Sequence, residues 1–313
     1  LAPDAGSGRI PGWTMSGAHK SFLERTARQR IADLLDADSF MEFLPPSERH
    51  FSPHLPVLGQ PVAFDDGIVI GDGFLAGAKV LIAAQEPAFM GGSVGEIHGA
   101  KLTGLLERAV QQRPAAVLLL LDTGGVRLHE ANAGLIAISE IQRAVFDVRQ
   151  AGIPVIVLIG GSNGCYGGIG IVAKCCDHMI ISEEGRLSVS GPEVIEAAKG
   201  VEEFDARDRA LVWRTMGGKH RYLMGDADLI VPDDVNAFRD AAISLLGASR
   251  PLTLEAVMQE HQALQTRMQR FSDCADATQI WQALGVADAK NVPLAEIPEF
   301  LEMSAHVRRE EHA

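Results

Sequence analysis

Cysteine is scarce in this 313-residue sequence: four residues, at 165, 175, 176 and 274, with no CxxC pair. That spacing supplies no disulfide framework, and the adjacent pair cannot readily bridge itself, so a reducing, cytoplasmic compartment is expected. Aromatic residues make up 5%, with three Trp and two Tyr, too few for a base-stacking platform. An excess of positive charge is also missing, since 28 Lys and Arg stand against 41 Asp and Glu for a net charge of -13. Proteins that live on phosphate backbones show the opposite balance, so no nucleic-acid partner is expected. The longest apolar run, Ala115 to Leu121, falls far short of the ~20 residues that span a bilayer, so no membrane is expected either. Residues 1–14 lack the apolar core of a signal peptide, and residues 1–20 are read as a disordered arm or an expression remnant. No GxxxxGK[ST], HExxH or GxSxG occurs, and no GxGxxG lies in the first βα turn. P-loop, Rossmann, zinc-protease and serine-hydrolase chemistry drop out with them. His50 and His54 are parted by Pro53, which disfavours a shared helix, and no metal is expected.

What is present is an ordinary globular composition, 47% hydrophobic and 22% charged. From Ser21, the residues Phe22, Ala27, Ile31, Leu34 and Leu35 approximate the stripe of an opening amphipathic helix. The proline-rich connector from Pro45 to Pro61 forbids a regular helix or central strand. Two apolar runs, 67–75 and 78–84, parted by a short step containing glycine, predict an antiparallel hairpin. A rhythm of strand, glycine loop and helix then repeats three times. Strand 80–85 leads to MGGSVG (90–95) and a helix near 96–112; strand 116–122 leads to TGGVR (123–127) and a helix near 128–150; strand 153–160 leads to GSNGCYGGIG (161–170) and a short helix. Continuous apolar strands alternating with helices predict a mostly parallel α/β sheet buried on both faces, with all three glycine loops at its carboxyl edge, where ligands bind. Beyond DADLIV (226–231) the pattern is helical through 233–247, 253–270 and 275–285. The expected division is a main domain over 21–247 and a helical extension over 248–313.

Glycine lets backbone N–H groups approach a ligand that a side chain would hold away. At a helix start those groups are unpaired and carry the positive end of the dipole. Two such loops on neighbouring strands can hold one oxyanion, as required by an enolate formed beside a thioester. The competing reading is that the glycines simply make tight strand-to-helix turns. Cys165, beside the third loop, reads as a buried structural thiol or a reactive one.

The segment GCYGGIGIVAKCCDHMIISEEGRLSVSGPEVIE (164–196) resembles the crotonase superfamily. GGSVGEIHGAK (91–101) and TGGVRLHEANAG (123–134) look like its carboxyltransferase branch, found in acyl-CoA carboxylases. TGGVRLHEAN and RMQRFSDCADATQIWQALG (267–285) look closer still to the beta subunits of biotin-independent malonate decarboxylases. The four-cysteine zinc ribbon of the related bacterial acetyl-CoA carboxylase subunit has no counterpart here.

This resemblance implies a crotonase-like ββα spiral with a C-terminal helical extension, paired with a homologous gamma subunit in a shared active site. A malonyl thioester on an acyl carrier protein would lose CO2 and give an enolate that is protonated to acetyl thioester. The thioester would hang on the carrier's phosphoribosyl-dephospho-CoA group, loaded by an acyl-transferase alpha subunit, with no cofactor covalently bound to this chain. By motif position, the amides of Gly167 and Gly168 are the first choice for an oxyanion hole, with Gly124 and Gly125 at the second oxyanion loop. Gly92 and Ser93 are placed along the thioester pocket. Arg127 is either a ligand for a carboxylate or phosphate, or the partner of Glu130. Tyr166, His98, Glu96 and Glu130 are alternatives for the proton donor. The competing functions are carboxyl transfer to biotin and a non-catalytic scaffold.

Overall fold

The computed structural model describes residues 19–310; the expectation for residues 1–18 lies outside them. The sheet has seven strands in sequence order: β1 (Met41–Glu42), β2 (Ile68–Leu75), β3 (Ala78–Gln85), β4 (Ala116–Leu121), β5 (Val155–Ile159), β6 (His178–Ser182) and β7 (Leu229–Val231). The first two pairings are antiparallel and all later ones parallel. Every residue of β4, β5 and β6 is buried, as continuous apolar runs require when helices cover both faces. The strand period of two divides them. Val117, Leu119, Val157 and Ile159 face one core, with α3 (Glu96–Gln112), α4 (Asn132–Gln150) and α5 (Gly167–Lys174). Leu118, Leu120, Ile156 and Leu158 face the other, with α1 (Ala27–Leu34) and a helix at Val235–Ser244.

At the carboxyl edge each main strand continues into a short second pairing. Val94 bridges to Val126, Thr123 to Cys165, and Cys165 to Leu187. Strand, second strand and helix therefore recur as one unit, which is the crotonase-like ββα spiral.

Two helix starts differ from expectation. The opening helix begins at Ala27, because Thr26 and Gln29 form a capping box there, while Phe22 stays buried ahead of it. The helix expected from Leu128 begins at Asn132. Leu128–Glu130 is a separate 3-10 turn, and Ala131, at φ 47°, breaks the chain between them. The proline-rich connector contains one helical turn, α2 (His54–Val57).

The C-terminal stretch divides in two. The helix Leu254–Phe271 buries none of its residues, whereas Trp281, Phe300 and Val307, from Ala277–Ala283 and Ile297–Glu310, belong to the same continuous core as α3 to α5. No described helix is long and apolar enough to cross a membrane.

Candidate active site

The three glycine loops are laced together by their backbones. The Gly124 N–H donates to the Gly91 carbonyl (2.9 Å), Val94 N–H to Gly125 (2.9 Å) and Arg127 N–H to Val94 (2.9 Å). Across to the third loop, Thr123 N–H donates to Gly164 (2.7 Å) and Tyr166 N–H to Thr123 (3.2 Å). Glycine is required where they touch: at Gly92, with φ 67°, a Cβ would stand 1.9 Å from the Asp122 carbonyl oxygen.

A complete account of the N–H groups decides which of them can serve a ligand. Gly167 donates to the Val189 carbonyl (2.9 Å), and Gly125 to Thr123 Oγ1 (3.0 Å). With Gly124 bonded to Gly91, three of the four glycine amides expected at the oxyanion hole are already committed. Gly168 is different. It is the second residue of α5, and its N–H has no acceptor among the described residues. The neighbouring loop carries an amide that sequence reasoning missed, that of Val126, also without an acceptor among the described residues. A Cβ on Gly167 would lie 3.1 Å from Gly125 Cα and 3.7 Å from Val126 N, so the two loops meet at this point. Val126 carries no side-chain signal; only its place immediately after Gly124 and Gly125 pointed to it. Ser93 donates its hydroxyl to Met90 (2.8 Å), so Gly92 and Ser93 build their loop and present no free donor.

Arg127 resolves into its structural alternative. Its guanidinium is fully buried, and Nη1 pairs with Asp66 (3.0 Å) and Glu130 (3.1 Å). Nη2 donates to the carbonyls of Asp66 (3.2 Å) and Ser93 (3.1 Å), which leaves neither amino group for a substrate. Burial raises the Asp66 carboxyl despite Arg127. For Glu130, burial is outweighed by hydrogen bonds from Ser52 and the Glu96 N–H and by Arg127, so its carboxyl sits low. Tyr166 is buried against Phe204, Val212 and Met216. Its hydroxyl has no partner among the described residues, and burial pushes its pKa up.

Of the other proton-donor alternatives, His98 is fully buried. It donates Nδ1–H to the Asp66 carbonyl (3.3 Å) and accepts from Gln85 at Nε2 (3.2 Å). Burial, with the Arg127 charge, pushes its pKa down to about 3. Glu96 is the exposed candidate, bonded to His54 Nε2 at 2.7 Å. Cys165 is buried, with its thiol pushed above its ordinary value, which favours the structural reading. No group of three or more His, Cys, Asp or Glu among the described residues is placed to hold a metal ion.

The buried imidazoles carry a stability prediction. His220, which accepts from Trp281 Nε1 (3.2 Å), is also pushed down to about 3 by burial. Between pH 6.5 and 3 the unfolded chain binds a proton at each of His98 and His220 that the folded chain refuses. Stability is therefore complete above pH 6.5 and falls as the pH drops, by up to about 1.4 kcal/mol per pH unit for each histidine. Urea unfolding at pH 7.5, 6 and 5 measures it, and His220→Gln flattens the profile; a wild-type profile independent of pH contradicts it.

The family model for the carboxyl transferase domain matches residues 23–261. The malonyl-S-ACP:biotin-protein carboxyltransferase MADC of Malonomonas rubra is 44% identical over 72% of this chain and 76% of its own length. The carboxyl transferase beta subunit of acetyl-coenzyme A carboxylase from Fusobacterium nucleatum is 31% identical over 56% of this chain and 59% of its own. A chain in the crystal structure of a Pseudomonas malonate decarboxylase hetero-tetramer with malonate superposes with a TM-score of 0.77 at 39% identity, covering 85% of this chain and 98% of that one. On fold, sequence and extent of match, the chain belongs to the carboxyl transferase domain family, crotonase-like enzymes that act on carboxyl groups.

Proposed function

We propose that this chain is the beta subunit of a malonate decarboxylase, in which the Val126 and Gly168 amides hold the thioester oxygen while the malonyl group loses CO2. The observation that carries this reading is two N–H groups without acceptors among the described residues, on two loops that meet at Gly125 and Gly167 at the carboxyl edge of a buried parallel sheet. As the C–CO2 bond breaks, its electrons pass to the α-carbon and charge grows on the thioester oxygen. Donors already fixed at that oxygen stabilise the transition state more than the ground state. Loss of CO2 itself supplies the electrons, so no general base is needed, and a carboxylate clamp at Arg127 would oppose the reaction by stabilising the substrate. A proton then adds to the α-carbon, giving acetyl thioester.

A partner subunit completes the site in this reading. Apolar side chains stand exposed on the segments that carry the two amides or pack against them: Leu128 (80%), Val189 (65%), whose carbonyl accepts the Gly167 N–H, Ile136 (60%) and Leu135 (56%) on α4, and Ile171 (47%) on α5. Exposed apolar residues grouped in this way mark a protein interface, and the similar Pseudomonas enzyme is a hetero-tetramer. We assign the partner as the homologous gamma subunit and the substrate as a malonyl thioester on the phosphoribosyl-dephospho-CoA group of an acyl carrier protein. The 44% identity to a biotin-protein carboxyltransferase favours a second reading, in which the same enolate forms but the carboxyl group passes to biotin. Carboxyl-labelled malonyl thioester, given to the complex in D2O with a biotinyl carrier present, separates them. Decarboxylation leaves the label in free CO2 and one deuterium in the acetyl methyl; label recovered on biotin assigns carboxyl transfer.

A further inference from the structure

We propose that Asp122, held by Arg30, is a positioning residue that fixes the spacing between the Val126 and Gly168 amides; this rests on the reading of those amides as the oxyanion site. Asp122 follows β4 directly and starts the loop that carries Val126. Its side chain reaches across to the other donor loop, where Oδ1 accepts the Asn163 N–H at 2.7 Å. Gly161 lies so close that a Cβ there would stand 1.9 Å from Oδ2. The Asp122 backbone meets the remaining loop, with its carbonyl against Gly92 and its N–H on Gln85 Oε1 at 2.9 Å. One residue therefore touches all three glycine loops, and its carboxylate joins the two that supply the donors.

That carboxylate is fully buried and faces one cation, Arg30 Nη1 at 2.8 Å, itself fully buried. Arg30 is fixed in turn: Nε donates to the Phe22 carbonyl (2.8 Å), Nη2 to that of Leu23 (3.2 Å), and the guanidinium lies 4.6 Å from the Phe22 ring centroid. Neither charge is exposed to a ligand. A buried ion pair is weak evidence for stability, because apolar replacement of both partners is often neutral. What an apolar pair cannot supply is the acceptor for Asn163, and a misplacement of about 1 Å at reacting groups costs on the order of 10²-fold in rate.

Two double variants separate positioning from mere structure. Arg30→Met with Asp122→Leu removes both charges and the acceptor; Arg30→Met with Asp122→Asn removes the charges and keeps an acceptor oxygen. In the complex with its partner, the leucine pair is expected to retain the wild-type melting temperature and KM within a few-fold, to lose on the order of 10²-fold in kcat, and to exchange backbone amides faster across 161–168. The asparagine pair is expected to recover kcat to within about tenfold of wild type. A leucine pair with wild-type kcat, or with unchanged exchange across 161–168, overturns the proposal. Wild-type turnover is measured first: a silent wild type defeats the proposed function, and amide exchange then still decides for or against the clamp.

Discussion

Replacing Gly168 by proline lowers kcat for malonyl-thioester turnover by about 10²–10³-fold and leaves KM within a few-fold of wild type, the loss expected for one oxyanion donor. The substitution deletes an N–H that bonds to nothing among the described residues, so no intramolecular hydrogen bond is lost with it. Gly168 lies in the first turn of α5, where proline is tolerated, and Gly167 ahead of it, at φ 64°, has no Cβ to clash with the ring. Val126→Pro removes the second proposed donor and is expected to cost a similar factor. Gly168→Ala is the control. It keeps the N–H, and its Cβ would meet Ile138 Cγ2 at 2.7 Å, the end of a side chain able to move. Alanine is therefore expected to stay within about tenfold of wild type, well above the proline variant. Steady-state kinetics of the complex checks this; a proline variant as active as the alanine variant removes Gly168 from the oxyanion site.

Arg127→Met is expected to destabilise the fold by about 3–5 kcal/mol, the cost of leaving buried charges unpaired. Arg127 is the cation between two carboxylates, Asp66 and Glu130, whose side chains are as buried as its own. Asp66 also accepts the backbone N–H groups of Ser52 (3.2 Å) and His98 (3.0 Å), and Glu130 that of Glu96 (2.6 Å), so the carboxylates cannot turn to water without loosening the starts of α2 and α3. Neutralising both acids together with the arginine, as Asp66→Asn, Glu130→Gln and Arg127→Met, is expected to recover part of the loss. Denaturant unfolding of the single and triple variants measures both quantities. A single variant within 1 kcal/mol of wild type contradicts the account and restores Arg127 as a residue held for substrate.

The sheet was legible in the sequence because its strands are buried on both faces: AVLLLL and VIVLI are short continuous apolar runs, each followed by a glycine loop, as central parallel strands are. Helix α3 was legible to the residue, since its apolar stripe begins directly after a glycine loop. The opening helix was misplaced although Thr26 and Gln29 announce its cap, because Phe22 looked like part of the stripe and is buried from an irregular segment. Within the site, the glycine loops were legible but the state of each amide was not. The acceptors that occupy Gly167 and Gly124 belong to Val189 and Gly91, on other loops, and no local spacing announces them. Arg127 was ambiguous for the same reason. Glu130 is three residues away and visible, but Asp66 arrives from the hairpin 61 residues earlier.

The most direct test of the central claim is CO2 release from malonyl thioester without biotin, by this chain alone and by this chain mixed with its gamma partner. The account predicts silence from the chain alone and sustained CO2 release from the mixture, abolished by Gly168→Pro. A mixture that releases CO2 only when a biotinyl carrier is added, or one in which Gly168→Pro changes nothing, contradicts it.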